Sequence, residues 1–246
     1  MKNQKFLLLF LLLICLVMSC SSKSVNIALI HFKPELGELN NNLTALVPLI
    51  TEALENDADI VVTPELSTTG FSITRDQVLE NLGLTDPFPE LNSIRNLAIE
   101  YTSYIFMGIA EKTDQDEVYN SVVVFGPEGY EQLQRKRGLS GWHERGNLPF
   151  KIMKTEYGEI APIICSDSYL PEWPRILAKK GVDIVLLSAN WWGTGQEKIW
   201  QTRARENGIW FFIANRWGIE EDPRYGFTYN MNNAPAPLPD LQQLVI

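Results

Sequence analysis

Short apolar runs along the chain alternate with segments whose apolar residues recur at helical spacing. Strands are predicted for the apolar runs at 25–30, 60–63, 104–110, 160–164, 184–188 and 210–214. The clearest helical segment carries Leu43, Leu46, Val47, Ile50 and Leu54 on one face. Helices are predicted at 39–56, 89–101, 172–180 and 198–207. This alternation predicts an α/β domain built in layers, with a mixed sheet.

One pair of strands is predicted to form a hairpin. Residues 119–125 and 131–135 flank the turn sequence GPEGY, which contains two glycines and a proline. The next segment, 136–149, is rich in glycine and charged residues and lacks apolar periodicity, so a loop is expected there. No linker or low-complexity tract interrupts the pattern, and a single domain is therefore expected.

The first residues have the pattern of a secretory signal peptide. Lys2 and Lys5 precede an apolar run over 6–18 that is too short to span a bilayer with any margin, and Cys20 follows it. The segment resembles a bacterial lipoprotein signal, which implies cleavage after residue 19 and lipidation of Cys20. The domain would then cover 20–246, exported and anchored through its lipid to a bacterial membrane, facing the periplasm or the cell exterior.

Composition narrows the chemistry that the domain can perform. Of the three cysteines, Cys15 leaves with the signal and Cys20 takes the lipid, so Cys165 has no disulfide partner. The formal net charge of −9 argues against a nucleic-acid partner. Only two histidines are present, and neither a metal site nor a cofactor is expected.

Three chemically reactive side chains follow three predicted strands. Glu65 comes after the strand at 60–63, Lys136 after the strand at 131–135, and Cys165 after the strand at 160–164. Taken singly, they could be a surface carboxylate, part of a solvated basic run and a buried thiol. Because sites in open α/β sheets form beyond the carboxyl ends of strands, the three together predict one active site.

The sequences around these residues resemble the three signatures of the nitrilase, or carbon–nitrogen hydrolase, superfamily. The matching stretches, in the order found in that superfamily, are PELSTTGF (64–71), RKRGL (135–139) and ICSDSYLPE (164–172). The opening stretch VNIALIHFKPELGELNNNL and the later WQTRARENGIWFFIANRWG resemble further segments of the same enzymes. The resemblance covers about 25–233, nearly all of the expected domain.

This resemblance implies both a fold and a set of roles. The fold is a four-layer α-β-β-α sandwich. Cys165 becomes the nucleophile, Glu65 the general base and Lys136 the group that stabilises the tetrahedral intermediate. Glu144, eight residues after Lys136, fits a second glutamate found in some members. The backbone N–H of Ser166 is a further candidate donor to the oxyanion.

The implied activity is hydrolysis of a non-peptide C–N bond in a small linear amide or carbamoyl amine. A cysteine thioester would form, and ammonia or an amine would leave. Small-molecule substrates are the expected partners, and a homodimer or larger oligomer is the rule in the family. Trp191 and Trp192 follow the strand at 184–188, where they would either shape the substrate pocket or simply pack.

The sequence is also compatible with alternative functions. A papain-like hydrolase would use His31 or His143 as its base, and neither lies in a papain-like local signature. An acyltransferase of the same superfamily would use the same three residues and pass the acyl group to an amine. Release of free acid and ammonia distinguishes the hydrolase from the acyltransferase.

A third alternative is a truncated, inactive member. Gly138 stands where the family often has a histidine, two residues after the lysine. The segment GFTYNMNNAPAPLPDLQQLVI begins like a family strand pair and then becomes rich in proline, which cannot supply regular ladder donors. We therefore expect truncation after about Ala234, with loss of the C-terminal strands that close the sheet and support the dimer.

Overall fold

A five-stranded sheet contains the strands from the first half of the chain. The structure is a computed structural model that describes residues 24–138, 141–192, 194–222 and 227–230. The strand order is β1 (Ile27–Leu29), β2 (Ile60–Val62), β3 (Tyr104–Lys112), β4 (Val118–Gly126) and β5 (Gly129–Arg135). The first three strands run parallel, whereas β3, β4 and β5 are joined as antiparallel neighbours. The predicted hairpin is therefore β4 and β5.

A four-stranded sheet contains most of the remaining strands. Its order is β6 (Met153–Thr155), β7 (Gly158–Ile164), β8 (Ile184–Ala189) and β9 (Trp210–Asn215). β6 is antiparallel to β7, and β7, β8 and β9 are parallel. A separate antiparallel pair is formed by β10 (Ile219–Asp222) and β11 (Phe227–Asn230).

Helices cover the outer face of each sheet. The α-helices are α1 (Leu39–Glu55), α2 (Arg75–Gln77), α3 (Asn92–Glu100), α4 (Glu172–Lys179) and α5 (Gln196–Asn207). A π-helical turn, Val78–Leu82, follows α2, and 3-10 turns lie at Pro89–Leu91 and Cys165–Ser168. In α1 the buried Leu46, Ile50 and Leu54 are spaced four residues apart, so they form one stripe facing the five-stranded sheet.

The two sheets pack face to face through their inner side chains. Along β8, Ile184 and Leu186 belong to the apolar cluster between the sheets, whereas Val185 and Leu187 pack on the outer side with α4 and α5. Because side chains alternate along a strand, each central strand is apolar on both faces. The layers are thus helix, sheet, sheet and helix, and the predicted four-layer sandwich is confirmed.

The structure departs from the sequence-based elements at β6, which was not predicted. This strand has only three residues, of which Lys154 is exposed, so it carries too little apolar pattern to be distinguished from a loop. The predicted signal peptide, the lipidation of Cys20 and the truncation after Ala234 lie outside the described residues. Among the described residues, no helix has the length and apolar character needed to cross a membrane.

Candidate active site

The three residues singled out in the sequence lie at the carboxyl ends of β2, β5 and β7. Lys136 and Cys165 directly follow their strands, and Glu65 comes three residues after Val62. Only 1% of Glu65, 1% of Lys136 and 5% of Cys165 is exposed to solvent. Two of these residues come from the five-stranded sheet and the third from the four-stranded sheet, so the site spans the interface between them.

Glu65 and Lys136 form a buried ion pair. Lys136 Nζ donates to Glu65 Oε1 over 2.6 Å, and Asn120 Nδ2 donates to the same oxygen over 2.8 Å. The second oxygen, Oε2, accepts no hydrogen bond from the residues that the structure describes. Burial on its own lowers the pKa of Lys136, but the negative charge of Glu65 and its hydrogen bond to the ammonium oppose burial, and the pKa lies above its usual value. The ammonium is therefore charged throughout the neutral range.

Cys165 is held in a strained backbone conformation. Its φ of 42° lies in the left-handed region, which is costly for a residue with a side chain, at the junction between β7 and the 3-10 turn. The Sγ atom lies 3.9 Å from the carbonyl oxygen of Asn190. Burial and the charge of Glu65 raise the pKa of the thiol, while Lys136 lowers it, and the net direction is upward. The resting thiol is therefore protonated.

The turn that carries Glu65 is fixed against β3. Gly108 N donates to Thr63 Oγ1 over 3.0 Å, and Ser67 Oγ donates to Gly108 O over 3.0 Å. A Cβ atom on Gly108 would lie only 2.1 Å from the carbonyl oxygen of Pro64. A glycine is therefore needed on β3 for the backbone around Glu65 to approach this closely.

Asp167 links the loop after Lys136 to the turn after Cys165. Its carboxylate accepts hydrogen bonds from Arg137 N and from Gly138 N, the latter over 2.7 Å. Burial raises the pKa of Asp167 to about 6, although these backbone N–H groups and Lys136 act in the opposite direction. The carboxylate thus connects the lysine of one sheet to the cysteine of the other.

The other predicted site residues have different environments. Ser166 lies in the first turn of the 3-10 helix, where backbone N–H groups have no partner within the helix. Glu144 forms an ion pair with Arg75 at 3.3 Å, and its side chain is 52% exposed, so it does not share the burial of Glu65.

The two histidines also differ in their surroundings. His31 is exposed just after β1. His143 is buried, and its Nδ1 lies 2.9 Å from the carbonyl oxygen of Glu144. Burial lowers the pKa of His143, the Glu144 carbonyl opposes this, and the positive charge of Lys136 lowers it further. A neutral imidazole therefore lies within electrostatic range of the ion pair.

An aromatic stack adjoins Cys165 on the four-stranded sheet. The rings of Tyr169 and Trp191 stack with centroids 4.6 Å apart, and Trp192 stacks on Trp191 at 6.3 Å. Asn215 fixes the backbone of Trp191, with its Oδ1 accepting from Trp191 N at 2.8 Å and its Nδ2 donating to Trp191 O at 3.0 Å. Tyr169 and Trp192, at the two ends of the stack, are 38% and 46% exposed, so both ends reach the surface and Trp191 lies between them.

Asn120, Asp167 and Tyr169 were not predicted from the sequence as members of this site, and His143 was considered only as the base of a papain-like alternative. A signal was available for Asp167 and Tyr169, which lie within ICSDSYLPE, and for Asn120, a polar residue inside an otherwise apolar strand. Within the described ranges, no three or more histidine, cysteine, aspartate or glutamate residues cluster in a way that could hold a metal ion.

Comparison with known sequences identifies the family. The family model for "Carbon-nitrogen hydrolase" matches residues 26–232. A nitrilase of Pyrococcus abyssi is 32% identical over 209 residues, which cover 82% of this chain and 78% of that protein. A probable nitrilase of Schizosaccharomyces pombe is 29% identical over 209 residues, covering 80% of this chain and 76% of that protein.

Comparison with solved structures identifies the same fold. A member of branch 10 of the nitrilase superfamily from Saccharomyces cerevisiae matches with a TM-score of 0.73 at 20% identity, covering 86% of this chain and 88% of that chain. An amidase from Nesterenkonia sp. matches with a TM-score of 0.72 at 19% identity, covering 85% and 80%. The protein is thus of the class that hydrolyses carbon–nitrogen bonds. It belongs to the carbon–nitrogen hydrolase family of the nitrilase superfamily.

Proposed function

We propose that the protein is an amidase that cleaves the C–N bond of a small linear amide or carbamoyl amine through a thioester on Cys165. The observation that carries this proposal is the buried grouping of a thiol, a carboxylate and an ammonium at three strand ends. In a structure of a mutant of the similar Nesterenkonia amidase, acrylamide had added to the active-site cysteine by Michael addition. That result supports a nucleophilic role for the cysteine here.

In the first half of the proposed reaction, Cys165 loses its proton as it attacks. The thiol is neutral at rest, so proton transfer to Glu65 accompanies formation of the bond between Sγ and the substrate carbonyl carbon. Glu65 Oε2 is the oxygen left without a hydrogen bond by the described residues, and it is our candidate acceptor. The carbonyl oxygen becomes an oxyanion, stabilised by Lys136 and by the Ser166 N–H.

The intermediate then collapses with cleavage of the C–N bond. Glu65 returns the proton to the leaving nitrogen, ammonia or an amine departs, and a thioester remains on Cys165. Water attacks the thioester carbonyl carbon while Glu65 takes a proton from that water. The second intermediate expels the thiolate, which regains its proton from Glu65, and a carboxylic acid leaves. In both halves of the reaction Lys136 donates a hydrogen bond to Glu65 Oε1 and keeps its positive charge.

The test is ammonia release across a panel of small amides by the wild type and by Cys165→Ala. We expect release by the wild type and a loss of at least about 1,000-fold in the variant, since the nucleophile is removed. Equal release by both proteins contradicts the proposal. Acyl transfer that requires an added amine, without free acid, identifies an acyltransferase instead. Absence of release by both proteins contradicts the proposal for the amides in the panel.

We further propose that a lipid on Cys20 attaches this domain to a membrane outside the cytoplasm. The basis is the sequence pattern of residues 1–20. Expression of the whole chain in a bacterium, followed by mass analysis of the N-terminal peptide, tests it. A diacylglyceryl-modified N-terminal Cys20 that is lost in Cys20→Ser is the expected result. An unmodified Met1 terminus in the isolated protein contradicts it.

A further inference from the structure

Two buried polar side chains at the ends of β8 and β9 have unpartnered groups. Asn190 and Arg216 are each 1% exposed. Neither Oδ1 nor Nδ2 of Asn190, and neither Nε nor Nη2 of Arg216, forms a hydrogen bond with the described part of the chain. Because buried polar groups are nearly always paired, such a grouping calls for a ligand that supplies the missing partners.

The two side chains are neighbours on the side of the sheet that faces the active site. Ala189 pairs with Asn215 in the parallel register of β8 and β9, so the following residues, Asn190 and Arg216, lie side by side. Arg216 N also donates to Ala189 O over 3.2 Å.

Strand alternation gives the direction in which both side chains extend. In β8 and β9, Ile184, Leu186, Phe212 and Ala214 all face the gap between the sheets. Asn190 and Arg216 continue these even-numbered positions one step past the strand ends. The carbonyl oxygen of Asn190 is the group that lies 3.9 Å from Cys165 Sγ.

The guanidinium of Arg216 is held so that one edge is left open. Its Nη1 donates to Glu220 Oε2, and Glu220 Oε1 accepts from Ser72 N over 2.8 Å. Phe71, whose N–H also donates to Glu220, has its ring centroid 5.9 Å from Lys136 Nζ. Nε and Nη2, which have no hydrogen-bond partner among the described residues, form one edge of the guanidinium. An arginine can bind both oxygens of a carboxylate through this edge.

We propose that Asn190 and Arg216 bind a carboxylate at the far end of the substrate. The substrate class is therefore the amides that carry a carboxylate a few carbons away from the scissile C–N bond. Arg216 supplies two parallel N–H donors, and Asn190 Nδ2 supplies a third. Glu220 does not abolish the preference for a carboxylate. Its negative charge is already compensated by hydrogen bonds from Arg216 and from the N–H groups of Phe71 and Ser72. The inference rests on the proposed amidase function and names its substrate.

Matched substrates test the preference. Succinamate and glutaramate are compared with butanamide and pentanamide, in which a methyl group replaces the carboxylate. We expect the wild type to prefer the charged member of each pair in kcat/KM by roughly 10- to 100-fold, as expected for charge-assisted hydrogen bonds. A ratio near one contradicts the inference, and ammonia release that depends on Cys165 in the same experiment would leave the amidase proposal standing.

Two variants assign the preference to these residues. Arg216→Lys retains a positive charge beside Glu220 but lacks the planar fork, so the ratio for each substrate pair should fall by about tenfold. Asn190→Ala should lower the same ratio severalfold. Arg205→Lys, an exposed position on α5, is the control and should leave the ratio unchanged. Equal losses on charged and uncharged amides in both site variants contradict the inference.

A binding measurement gives a result that does not require turnover. The Cys165→Ala protein is titrated with glutaramate and with pentanamide by calorimetry. Binding of glutaramate at least tenfold tighter than that of pentanamide, lost when Arg216→Lys is added, supports the carboxylate site even if the wild type hydrolyses no amide. Equal affinities for the two compounds, or a preference that persists in the double variant, overturn it.

Discussion

At the residue scale, Glu65 has two carboxylate oxygens in different environments. Oε1 is held by Lys136 and Asn120, whereas Oε2 accepts no hydrogen bond from the described residues. One oxygen therefore fixes the side chain, and the other remains available for a proton. This division suits a residue that must stay in place while it gains and loses a proton in each half of the proposed reaction.

Glu65→Gln tests proton uptake by Glu65 separately from the hydrogen bonds that fix its side chain. The amide oxygen can still accept from Lys136 and Asn120, but the side chain cannot take a proton, so kcat should fall by about 100-fold or more. Steady-state ammonia release measures kcat, with Glu100→Gln, at an exposed glutamate on α3, as the control.

Glu144→Gln should lower kcat less than Glu65→Gln does, because the Glu144 side chain is half exposed and paired with Arg75. Equal losses at both positions would assign Glu144 a comparable role.

Asp167 should give the protein a distinctive pH dependence. Its folded-state pKa is raised to about 6 by burial, so between about pH 4 and 6 the folded state holds more protons than the unfolded state. The free energy of unfolding contributed by this group therefore falls as pH rises through that window, by about 3 kcal/mol in total. Denaturant unfolding of wild type and Asp167→Asn at several pH values should show this difference. A difference that does not change with pH contradicts the assignment.

The sequence identified the reactive residues but not the residues that hold them. Glu65, Lys136 and Cys165 could be predicted because each follows an apolar strand and lies in a recognisable motif. Asn120 and Asp167 act through side-chain hydrogen bonds to segments far apart in the chain, and the local signal that marks each residue does not show which partner it reaches. The reacting groups of the candidate site could therefore be predicted from the sequence, whereas the hydrogen bonds that support them could not.

At the scale of single elements, β3 determines where the Glu65 turn can lie. Gly108 is the position at which the strand backbone meets Pro64, Glu65 and Leu66, all within about 3 Å of where its Cβ would be. Nothing in the sequence YIFMGIAEK indicates this, because a glycine within a strand is equally compatible with a bulge. The strand β3 itself was predicted, whereas the short strand β6 was not.

Gly108→Ala should displace the Glu65 turn. A Cβ at this position would lie 2.1 Å from the Pro64 oxygen, so backbone must move, and we expect a loss of about 3 kcal/mol in the free energy of unfolding together with reduced kcat. Gly208→Ala is the comparison, because no atom lies within 4 Å of its Cβ, although its φ of 63° costs about 1 kcal/mol. Unchanged kcat in Gly108→Ala would show that the close approach does not position Glu65.

At the scale of the whole molecule, the active site joins two sheets. Glu65 and Lys136 belong to one sheet and Cys165 to the other, with an apolar cluster packed between them. The layered α/β class followed from the alternation of strands and helices, and the four layers from the family resemblance. The division of the strands between two sheets depends on long-range pairing, which hydrophobic pattern does not specify.

Packing between the sheets should therefore matter more for catalysis than packing outside them. Leu186 and Leu187 are adjacent on β8 and both fully buried, but Leu186 lies between the sheets and Leu187 faces the outer helices. Either change to alanine should cost about 2–5 kcal/mol of unfolding free energy. We expect Leu186→Ala to lower kcat severalfold more than Leu187→Ala at a temperature where both remain folded. The reverse order would argue against alignment by the sheet interface.

In the proposed reaction Cys165 carries the acyl group of the substrate, and mass analysis of the protein during turnover can detect that group. Wild-type protein is mixed with an amide from which it releases ammonia, quenched in acid within the first turnovers and digested. We expect the peptide containing Cys165 to gain the mass of the acyl group, and hydroxylamine to remove it. Ammonia release with an unmodified Cys165 peptide, or with the acyl group on another residue, would show that Cys165 is not the nucleophile.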